Sequence, residues 1–525
     1  MWVSAIPKPL STPTAALLER LEPHLPEELL RAVRLELQRG ALAALKVELL
    51  EERLRLRRIE KYGPGSERLS AGQLELLELE PGVSGAEVAA EAGRGAPAAA
   101  PPRSGGSAHP GRQRLPECLP RVETVLACAP EASACPGCGG ATTVIGHDES
   151  ERLEVRPAEY FVAVTRREKR ACSRCAAGGV MLAALPPAII EKGLASDRIV
   201  VDTVIAKYCD HLPLYRQSAM LERESGVEIG RATLDGWVMQ VGESLRPLAA
   251  AMGRQLLQGD YLQADETPVA VQTHDGRGTN HQAYLWQYGR PGGEAVFDFQ
   301  MGRGRDGPKR FLGSFAGILQ SDGYAAYEGV GGAGLVHAAC WAHARRKFFD
   351  AVKLNPEDRG AIAAVAAIDA LFALDREAAQ GGLDIAARHR LRQERAPGLL
   401  TAIRATVASA RREALPASVL GRAARYTLAL WPKLTRFLEH PALELSNNLA
   451  ENSMRPLALG RKNWIHIGSP EAAPRVAAIL SVVESCRRLD LPVRDYLAAV
   501  LPGLAARPLA ELPRLTPAAW AAPRP

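Results

Sequence analysis

The chain has 525 residues, 47% of them hydrophobic, and its 65 lysines and arginines against 59 aspartates and glutamates give a formal net charge of +6. This is ordinary globular composition with room for two to four domains, and its mild basic bias is compatible with nucleic acid without indicating it. The N-terminus lacks a basic segment followed by an apolar one, and no window approaches the roughly 18 uncharged apolar residues of a membrane span. These features argue against secreted and membrane proteins, so we expect a soluble intracellular protein.

The first 115 residues are expected to hold a helical region (1–80) and then a linker (81–115). Apolar side chains fall on six of eight positions of a seven-residue repeat: Leu35, Leu42, Leu45, Leu49, Leu56 and Ile59. Gln38 and Glu52 occupy the other two. The pattern fits a short, leucine-zipper-like coiled coil and equally an amphipathic helix packed on its own domain. After the helix terminator Tyr62-Gly-Pro-Gly-Ser, the linker is rich in Ala, Pro and Gly.

Two Cys-x-x-Cys pairs indicate a zinc module over residues 116–185. The chain has nine cysteines, and four of them form Cys135-Pro-Gly-Cys138 and Cys172-Ser-Arg-Cys175, separated by 33 residues. Four thiolates in two such knuckles can hold one structural Zn²⁺ in a tetrahedral site. The spacer exceeds the usual 15 to 20 residues, but an alternating, hairpin-like stretch within it would bring its ends together. The remaining cysteines are expected to be small buried hydrophobes.

Residues 186–255 are expected to form a helical, helix-turn-helix-like domain that binds DNA. A helix over Leu214–Glu224, a turn at Ser225-Gly-Val and a second helix from about Arg231 have the proportions of that motif. Its second helix enters the major groove with its first residues near the bases, which here are Arg231 and Thr233. Because helix, glycine turn and helix also occur in proteins that do not bind DNA, the pattern alone is weak.

A catalytic core is predicted in two parts, residues 256–350 and 441–485. The first part contains strands near 261–271, 282–288, 295–299, 318–322 and 335–340, with a short helix at 309–312. Three antiparallel strands, a helix and then parallel strands is the order of an RNase H-like fold. The Ala-, Leu- and Arg-rich residues 351–440 are expected to be a helical insertion, and residues 486–525 a C-terminal tail region. The fold class is therefore multidomain α/β.

Three acidic residues stand in unusual contexts within this core. Asp265 lies in a strand where Val or Ile is usual, and Asp322 ends a short apolar strand before a glycine. Burying an aspartate is costly unless it is paired or binds a metal. Glu451 lies one turn into a helix that Ser446 or Asn447 can cap. Because the first and fourth strands of such a sheet are neighbours, we expect the three carboxylates to converge on divalent metal ions. Each acid alone would more simply cap a turn or lie on a surface.

Four longer motifs carry a resemblance to a known family. They are Gln263-Ala-Asp-Glu-Thr-Pro, Ser321-Asp-Gly-Tyr, Cys340-Trp-Ala-His-Ala-Arg-Arg-Lys-Phe and Asn447-Asn-Leu-Ala-Glu-Asn-Ser-Met-Arg-Pro-Leu-Ala-Leu-Gly-Arg-Lys-Asn-Trp. Together with the order of zipper-like helix, four-Cys module and His211-Leu-Pro-Leu-Tyr-Arg-Gln, they closely resemble transposases of the insertion sequence 66 family. The resemblance covers nearly the whole chain.

The resemblance implies a DDE-type transposase whose catalytic, metal-binding carboxylates are Asp265, Asp322 and Glu451. Two Mg²⁺ or Mn²⁺ ions suit such a site, because they prefer oxygen ligands and stabilise both the attacking and the leaving oxygen of a phosphodiester. The expected partners are double-stranded DNA (the element's terminal repeats and its target), further copies of the chain in a homo-oligomer, and small accessory proteins of the same element. The resemblance also implies a bacterial cytoplasmic protein associated with the nucleoid.

Basic residues beside the proposed catalytic elements are candidates for phosphate contacts. They are Arg345, Arg346, Lys347, Arg455, Arg461 and Lys462. Each of them is as often a surface charge or an ion-pair partner, and His343 is expected to be an ordinary hydrogen-bonded histidine. Two alternative functions remain open: a DNA-binding accessory or repressor protein with an inactive core, and an RNase H-like nuclease without strand transfer.

Overall fold

The computed structural model describes residues 20, 24–62, 159–171, 180–273, 276 and 278–522. The chain divides into two compact units, Pro97–Leu182 and the remainder. In the smaller unit, strands β1 (Lys169–Ala171) and β2 (Val180–Leu182) pair antiparallel. The four cysteines of the predicted zinc module lie outside the described residues.

The larger unit begins with a long helix, α1 (Glu27–Tyr62), which has two glutamates in its first turn where the helix dipole favours them. Its C-terminal half packs on the same unit: Leu56 contacts a hydrophobic core, and the Glu52 carboxylate accepts a hydrogen bond from the Val419 amide at 2.5 Å. Leu35 and Leu42 are 49% and 47% exposed. The packed-helix alternative therefore describes the C-terminal half of α1, and the coiled coil stays a prediction for the rest.

Three helices follow at the positions expected for the helix-turn-helix-like segment. They are α2 (Asp197–Tyr208), α3 (Leu214–Ser225) and α4 (Arg231–Leu256). Gly226 ends α3 with a φ of 72°, a left-handed conformation that glycine adopts without strain. However, α4 is 26 residues long, and buried side chains along it, such as Trp237 and Val241, join the same core as the sheet. One hydrophobic core therefore spans the expected boundary at residue 255.

The sheet has five strands with the order β5-β4-β3-β6-β7. They are β3 (Tyr261–Val271), β4 (His281–Gly289), β5 (Ala295–Gln300), β6 (Ile318–Ser321) and β7 (Val336–Ala339), with α5 (Asp306–Leu312) between β5 and β6. The first three strands form the predicted antiparallel meander, and β6 and β7 add in parallel. The first and fourth of these strands, β3 and β6, are neighbours at the centre, as expected from the sequence.

The rest of the described chain is helical. The helices are α6 (Trp341–Leu354), α7 (Arg359–Gln380), α8 (Ile385–Glu413), α9 (Val419–Ala429), α10 (Trp431–Leu434), α11 (Asn448–Trp464), α12 (Ala473–Arg488), α13 (Val493–Val500) and α14 (Pro517–Ala521). Asp358 and Asp384 cap α7 and α8 by accepting hydrogen bonds from backbone amides in the first turn, at 3.0 and 2.7 Å. In the ranges that the structure describes, the search for a helix of sufficient length and apolarity to cross a bilayer finds none.

Helices α7 to α10 make up most of the predicted helical insertion and share a second hydrophobic core with α6 and with residues of β3, β6 and β7. Within it, Arg392 is 1% exposed and pairs with the equally buried Asp375, its Nε lying 2.6 Å from Oδ1. Arg392 also donates to the Leu443 carbonyl at 2.7 Å, and Arg388 pairs with Glu444 at 2.9 Å. The insertion is thus tied to the segment that leads into α11.

Helix α12 covers one edge of the sheet. Ser485 Oγ accepts a hydrogen bond from the Ala295 amide at 3.0 Å and lies 2.9 Å from the Ala295 carbonyl, while Ser481 Oγ accepts from the Phe297 amide at 2.8 Å. The expected boundary at residue 485 falls inside this helix. In the expected tail region beyond it, Tyr496 and Leu497 of α13 are fully buried in the main core.

Candidate active site

Neighbouring strands carry Asp265 and Asp322 to matching positions. The last registered pair of β3 and β6 is Gln263 with Gln320, and each aspartate stands two residues further along its own strand direction. Because side chains alternate between faces with a period of two, both aspartates follow the face of that glutamine pair. Strand β6 ends at this point: Asp322 Oδ1 accepts from the Tyr324 amide at 2.7 Å, and Gly323 takes a φ of 85°.

Glu451 lies in the first turn of α11, whose N-cap is Asn447. The expected side-chain cap is absent, since Asn447 makes no capping hydrogen bond. The Glu451 carboxylate faces α6 instead: Arg346 Nη2 donates to Oε2 at 2.9 Å, and His343 Nε2 lies 3.4 Å from Oε1. The sequence motif beginning at Cys340 thus supplies both side chains that contact this carboxylate.

The electrostatics show that the three carboxylates share one environment. Burial raises the pKa of Asp265 well above its usual range, and the charges of Glu451, Glu266 and Asp322 raise it further. Burial alone would also raise the pKa of Glu451, but His343 and Arg346 outweigh it and hold that pKa below its ordinary value. Acidic groups therefore surround Asp265, whereas Arg346 and His343 contact Glu451.

The donor chemistry fits a hard divalent cation, although the described side chains are not arranged as a closed metal site. All three groups offer carboxylate oxygens, which Mg²⁺ and Mn²⁺ prefer, and Glu451 Oε1 is buried without a hydrogen-bond partner among the described residues. A cation bound by these carboxylates would relieve the electrostatic repulsion between them, which adds to the effect of burial in raising the pKa of Asp265. Within the described ranges, no group of three His, Cys, Asp or Glu side chains has metal-binding geometry.

A fourth carboxylate, Glu266, was not singled out from the sequence. Its side chain is only 2% exposed, and Arg303 donates to it through both Nε and Nη2, at 3.0 and 2.6 Å. Tyr327 Oη donates to its second oxygen at 3.0 Å. Its place next to Asp265 in the same strand was the available signal, whereas Arg303 gives none because it lies 37 residues away in the chain.

The basic residues of α6 lie in different surroundings. Arg345 is 4% exposed and its Nε donates to Asp369 at 2.7 Å. Its guanidinium is thus held in a buried ion pair, and the expected contact of Arg345 with DNA stays a prediction. Arg346 pairs with Glu451 but keeps 35% of its side chain exposed, and Lys347 lies 4.4 Å from the centre of the Tyr426 ring.

The other candidate DNA-binding residues differ in exposure. Arg231 and Thr233 are exposed in the first turn of α4, and Lys462 is exposed near the end of α11. Arg461 is half-buried; it donates to Thr267 Oγ1 at 2.8 Å and to a neighbouring carbonyl, and burial lowers its pKa. Arg455 is half-buried, and its charge contributes to the lowered pKa of Glu451.

Comparison with known proteins matches the chain to three related family descriptions. Residues 192–475 match the transposase IS66 family, residues 132–176 match the zinc-finger binding domain of transposase IS66, and residues 49–124 match the transposase C of IS166 homeodomain. The second match spans the four cysteines, and the first spans the three carboxylates.

Similar proteins occur in Sinorhizobium fredii. The chain is 33% identical to the uncharacterized protein y4qI over 87% of this chain and 86% of y4qI. It is 30% identical to the uncharacterized protein y4hP over 91% of this chain and 88% of that relative. A third, y4jD, is 32% identical over 74% of this chain and 77% of its own length.

Proposed function

Because this chain belongs to the IS66 family of transposases, we propose that it is a DDE-type DNA transposase that cuts at the ends of its element and joins them to target DNA. The observation that carries the proposal is the placement of Asp265 and Asp322, each two residues beyond the registered pair Gln263–Gln320 of neighbouring strands. Glu451, at the start of a helix, is near enough for its charge to help raise the pKa of Asp265. Such a set of carboxylates would supply oxygen ligands for two divalent ions.

The proposed core is RNase H-like. Its support is the strand order β5-β4-β3-β6-β7, with an antiparallel meander, two parallel additions and the proposed catalytic aspartates in β3 and directly after β6. The helices of the insertion lie between the second aspartate and the glutamate in sequence. We place the catalytic parts at 256–350 and 441–485, with the insertion at 351–440, as functional segments of one folded unit.

The protein's own groups prepare the site for phosphodiester chemistry. Asp265 and Asp322 present oxygens from one sheet face, and Arg346 with His343 keeps Glu451 ionised by lowering its pKa. Divalent ions, when bound, would stabilise charge on the attacking and leaving oxygens. The exposed part of Arg346, together with Lys347, Arg455, Arg461 and Lys462, supplies positive charge for the DNA backbone.

Two further modules complete the proposal. Cys135, Cys138, Cys172 and Cys175 bind one structural Zn²⁺, consistent with the zinc-finger match over 132–176. The start of α4, with Arg231 and Thr233 exposed, contributes to binding the element's ends, and the chain acts as a homo-oligomer that pairs them. Small accessory proteins of the same element act with it in the bacterial cytoplasm.

A mobility assay in cells tests this function. A marked mini-element carrying the flanking DNA of the native gene is supplied with the wild-type protein, with Asp322→Asn, or with Asp260→Asn, a matched change at an exposed aspartate just before β3. Insertions are expected with the wild type and Asp260→Asn and not with Asp322→Asn. With purified protein and end DNA, joined products support a transposase; cut ends alone would indicate a nuclease, and binding without products a repressor.

A further inference from the structure

The sheet face that carries the two aspartates also carries a buried polar cluster. Tyr261, Gln263 and Gln320 are 8%, 2% and 0% exposed, in a region where strand residues are usually apolar. Gln263 and Gln320 are registered partners on β3 and β6, and each stands two residues before an aspartate of the proposed site. The three side chains bond to one another: Tyr261 Oη lies 2.5 Å from Gln320 Oε1 and 2.9 Å from Gln263 Nε2.

This cluster holds the backbone of the segment that precedes α11. Gln320 Nε2 donates to the Glu444 carbonyl at 2.8 Å, and Gln263 Nε2 donates to the Ser446 carbonyl at 3.0 Å. Tyr261 Oη accepts from the Glu444 amide at 3.3 Å. Residues 445–447 are buried, and the segment 444–447 does not pair with a strand. The three side chains therefore satisfy backbone groups that would otherwise be costly to bury.

The same segment is fixed on its other side by α6 and β3. The Trp341 amide donates to the Leu445 carbonyl at 2.9 Å, and the Asn447 amide lies 3.4 Å from Cys340 Sγ. Asn447 Nδ2 donates to the Ala264 carbonyl at 3.4 Å. Helix α11 starts immediately afterwards, so the place of Glu451 relative to the strands is set within about one helical turn of these bonds.

We propose that Gln263 and Gln320, linked through Tyr261, are positioning residues that set the distance of Glu451 from Asp265 and Asp322. The inference rests on the proposed function. A planar amide offers a donor and an acceptor at fixed separation, so each glutamine couples an aspartate-bearing strand to the segment that leads into the glutamate-bearing helix. Hydrogen bonds that only stabilised the fold could lie anywhere in it. These hydrogen bonds instead join the two strands that lead to the aspartates with the segment that leads to Glu451.

The test measures binding of Mn²⁺ alone, without DNA, by electron paramagnetic resonance of the free ion. The variants are Gln263→Met and Gln320→Met, which keep the side-chain length and remove the amide. The matched control is Gln217→Met, because Gln217 is 6% exposed and donates to the Leu212 carbonyl at 2.9 Å in α3, away from the strands that carry the aspartates. We expect the half-saturating Mn²⁺ concentration to rise about tenfold in the first two variants and to stay unchanged in the control, as is typical when a partner that orients a metal ligand is lost.

Asp322→Asn separates the two proposals. If the wild type binds no Mn²⁺, or binds it equally after Asp322→Asn, the proposed metal chemistry fails. If Asp322→Asn abolishes binding while both glutamine variants bind like the wild type, the positioning role alone is overturned.

Hydrogen exchange on the wild-type protein covers the case in which the methionine variants do not fold. Mn²⁺ is expected to slow backbone amide exchange across residues 444–451 as well as at Asp265 and Asp322, because the segment and the site are coupled. Unchanged exchange in that segment under saturating Mn²⁺ would contradict the inference.

Discussion

Arg346 of α6 and Glu451 of α11 meet across the candidate site, 105 residues apart in sequence, with Nη2 2.9 Å from Oε2. His343 and Arg346 together hold the pKa of Glu451 below its ordinary value despite burial, whereas burial and the neighbouring carboxylates raise the pKa of Asp265. Two carboxylates of one proposed site thus have pKa values displaced in opposite directions, as at many functional sites.

Replacing Arg346 by Met is expected to raise the pKa of Glu451. The carboxyl group then stays protonated to higher pH, and because protons and metal ions compete for it, the midpoint pH of Mn²⁺ binding moves upward. Binding curves collected across pH and normalised to their alkaline plateau measure this shift. Arg395→Met, which removes an exposed ion pair with Glu377, is the control. Equal midpoints in wild type and Arg346→Met would contradict the assigned role.

Asp265→Asn is expected to stabilise the metal-free protein at alkaline pH. An acid whose folded-state pKa lies above its unfolded value of 3.8 contributes stability at low pH that is lost as pH rises through the folded pKa. The variant removes that loss, so its thermal midpoint should exceed that of the wild type by a few degrees at pH 8 and match it near pH 4. Thermal unfolding in a chelating buffer measures the difference. A wild type that is the more stable protein at pH 8 would refute this prediction.

Arg392→Met is expected to destabilise the insertion strongly. It leaves Asp375 buried and unpaired, which typically costs about 3–5 kcal/mol, whereas replacing both partners by apolar residues is often neutral. Chemical unfolding should therefore show a large loss for Arg392→Met and recovery in Arg392→Met/Asp375→Leu. The exposed pair Arg395–Glu377 should contribute less than about 1 kcal/mol. If the double variant is no more stable than the single one, the buried charge is not the cause.

The zinc proposal predicts one equivalent of Zn²⁺ per chain. Elemental analysis of purified protein should find it, and the variant Cys135→Ser/Cys172→Ser should lose it, because a tetrahedral site with two missing thiolates binds weakly. Cys209→Ser is the matched control, since Cys209 is a free, half-buried cysteine in the other unit. Full zinc content in the double variant would exclude these cysteines as ligands.

The exposed leucines of α1 predict self-association through its N-terminal half. Leu35→Glu/Leu42→Glu should lower the molar mass measured by light scattering, because charges at such positions oppose helix pairing. Leu383→Glu, at a leucine that is 42% exposed in the insertion, should leave the mass unchanged. An unaltered mass in the first variant would place the oligomer contact elsewhere.

Local patterns predicted much of this fold. The strand expected near 261–271 is β3, and the helix expected from about Arg231 begins there, because alternation and helix-start signals are properties of neighbouring residues. That β3 and β6 are neighbours was predicted from the order of strands and helices along the chain. Long-range packing was not predicted: α4 shares the core of the sheet, and α13 is buried. Arg345 shows why, since its partner Asp369 lies 24 residues away, on the next helix.

The same contrast between local patterns and long-range packing holds for the candidate site. Its acidic residues stood out because carboxylates are rare in buried strands, and their neighbourhood followed from strand order. The residues that pair with or position these carboxylates did not stand out in the sequence. Neither Arg303 nor the glutamine contacts with Glu444 and Ser446 carry a local signal, because they depend on how separate elements meet.

The serines of α12 have a consequence for assembly. By bonding to the backbone of Ala295 and Phe297, Ser481 and Ser485 occupy groups through which another chain would extend the sheet beyond β5. Strand addition, a common route to both partner docking and aggregation, is therefore blocked at this end. Any assembly of copies of this protein would therefore use surfaces other than this edge of the sheet.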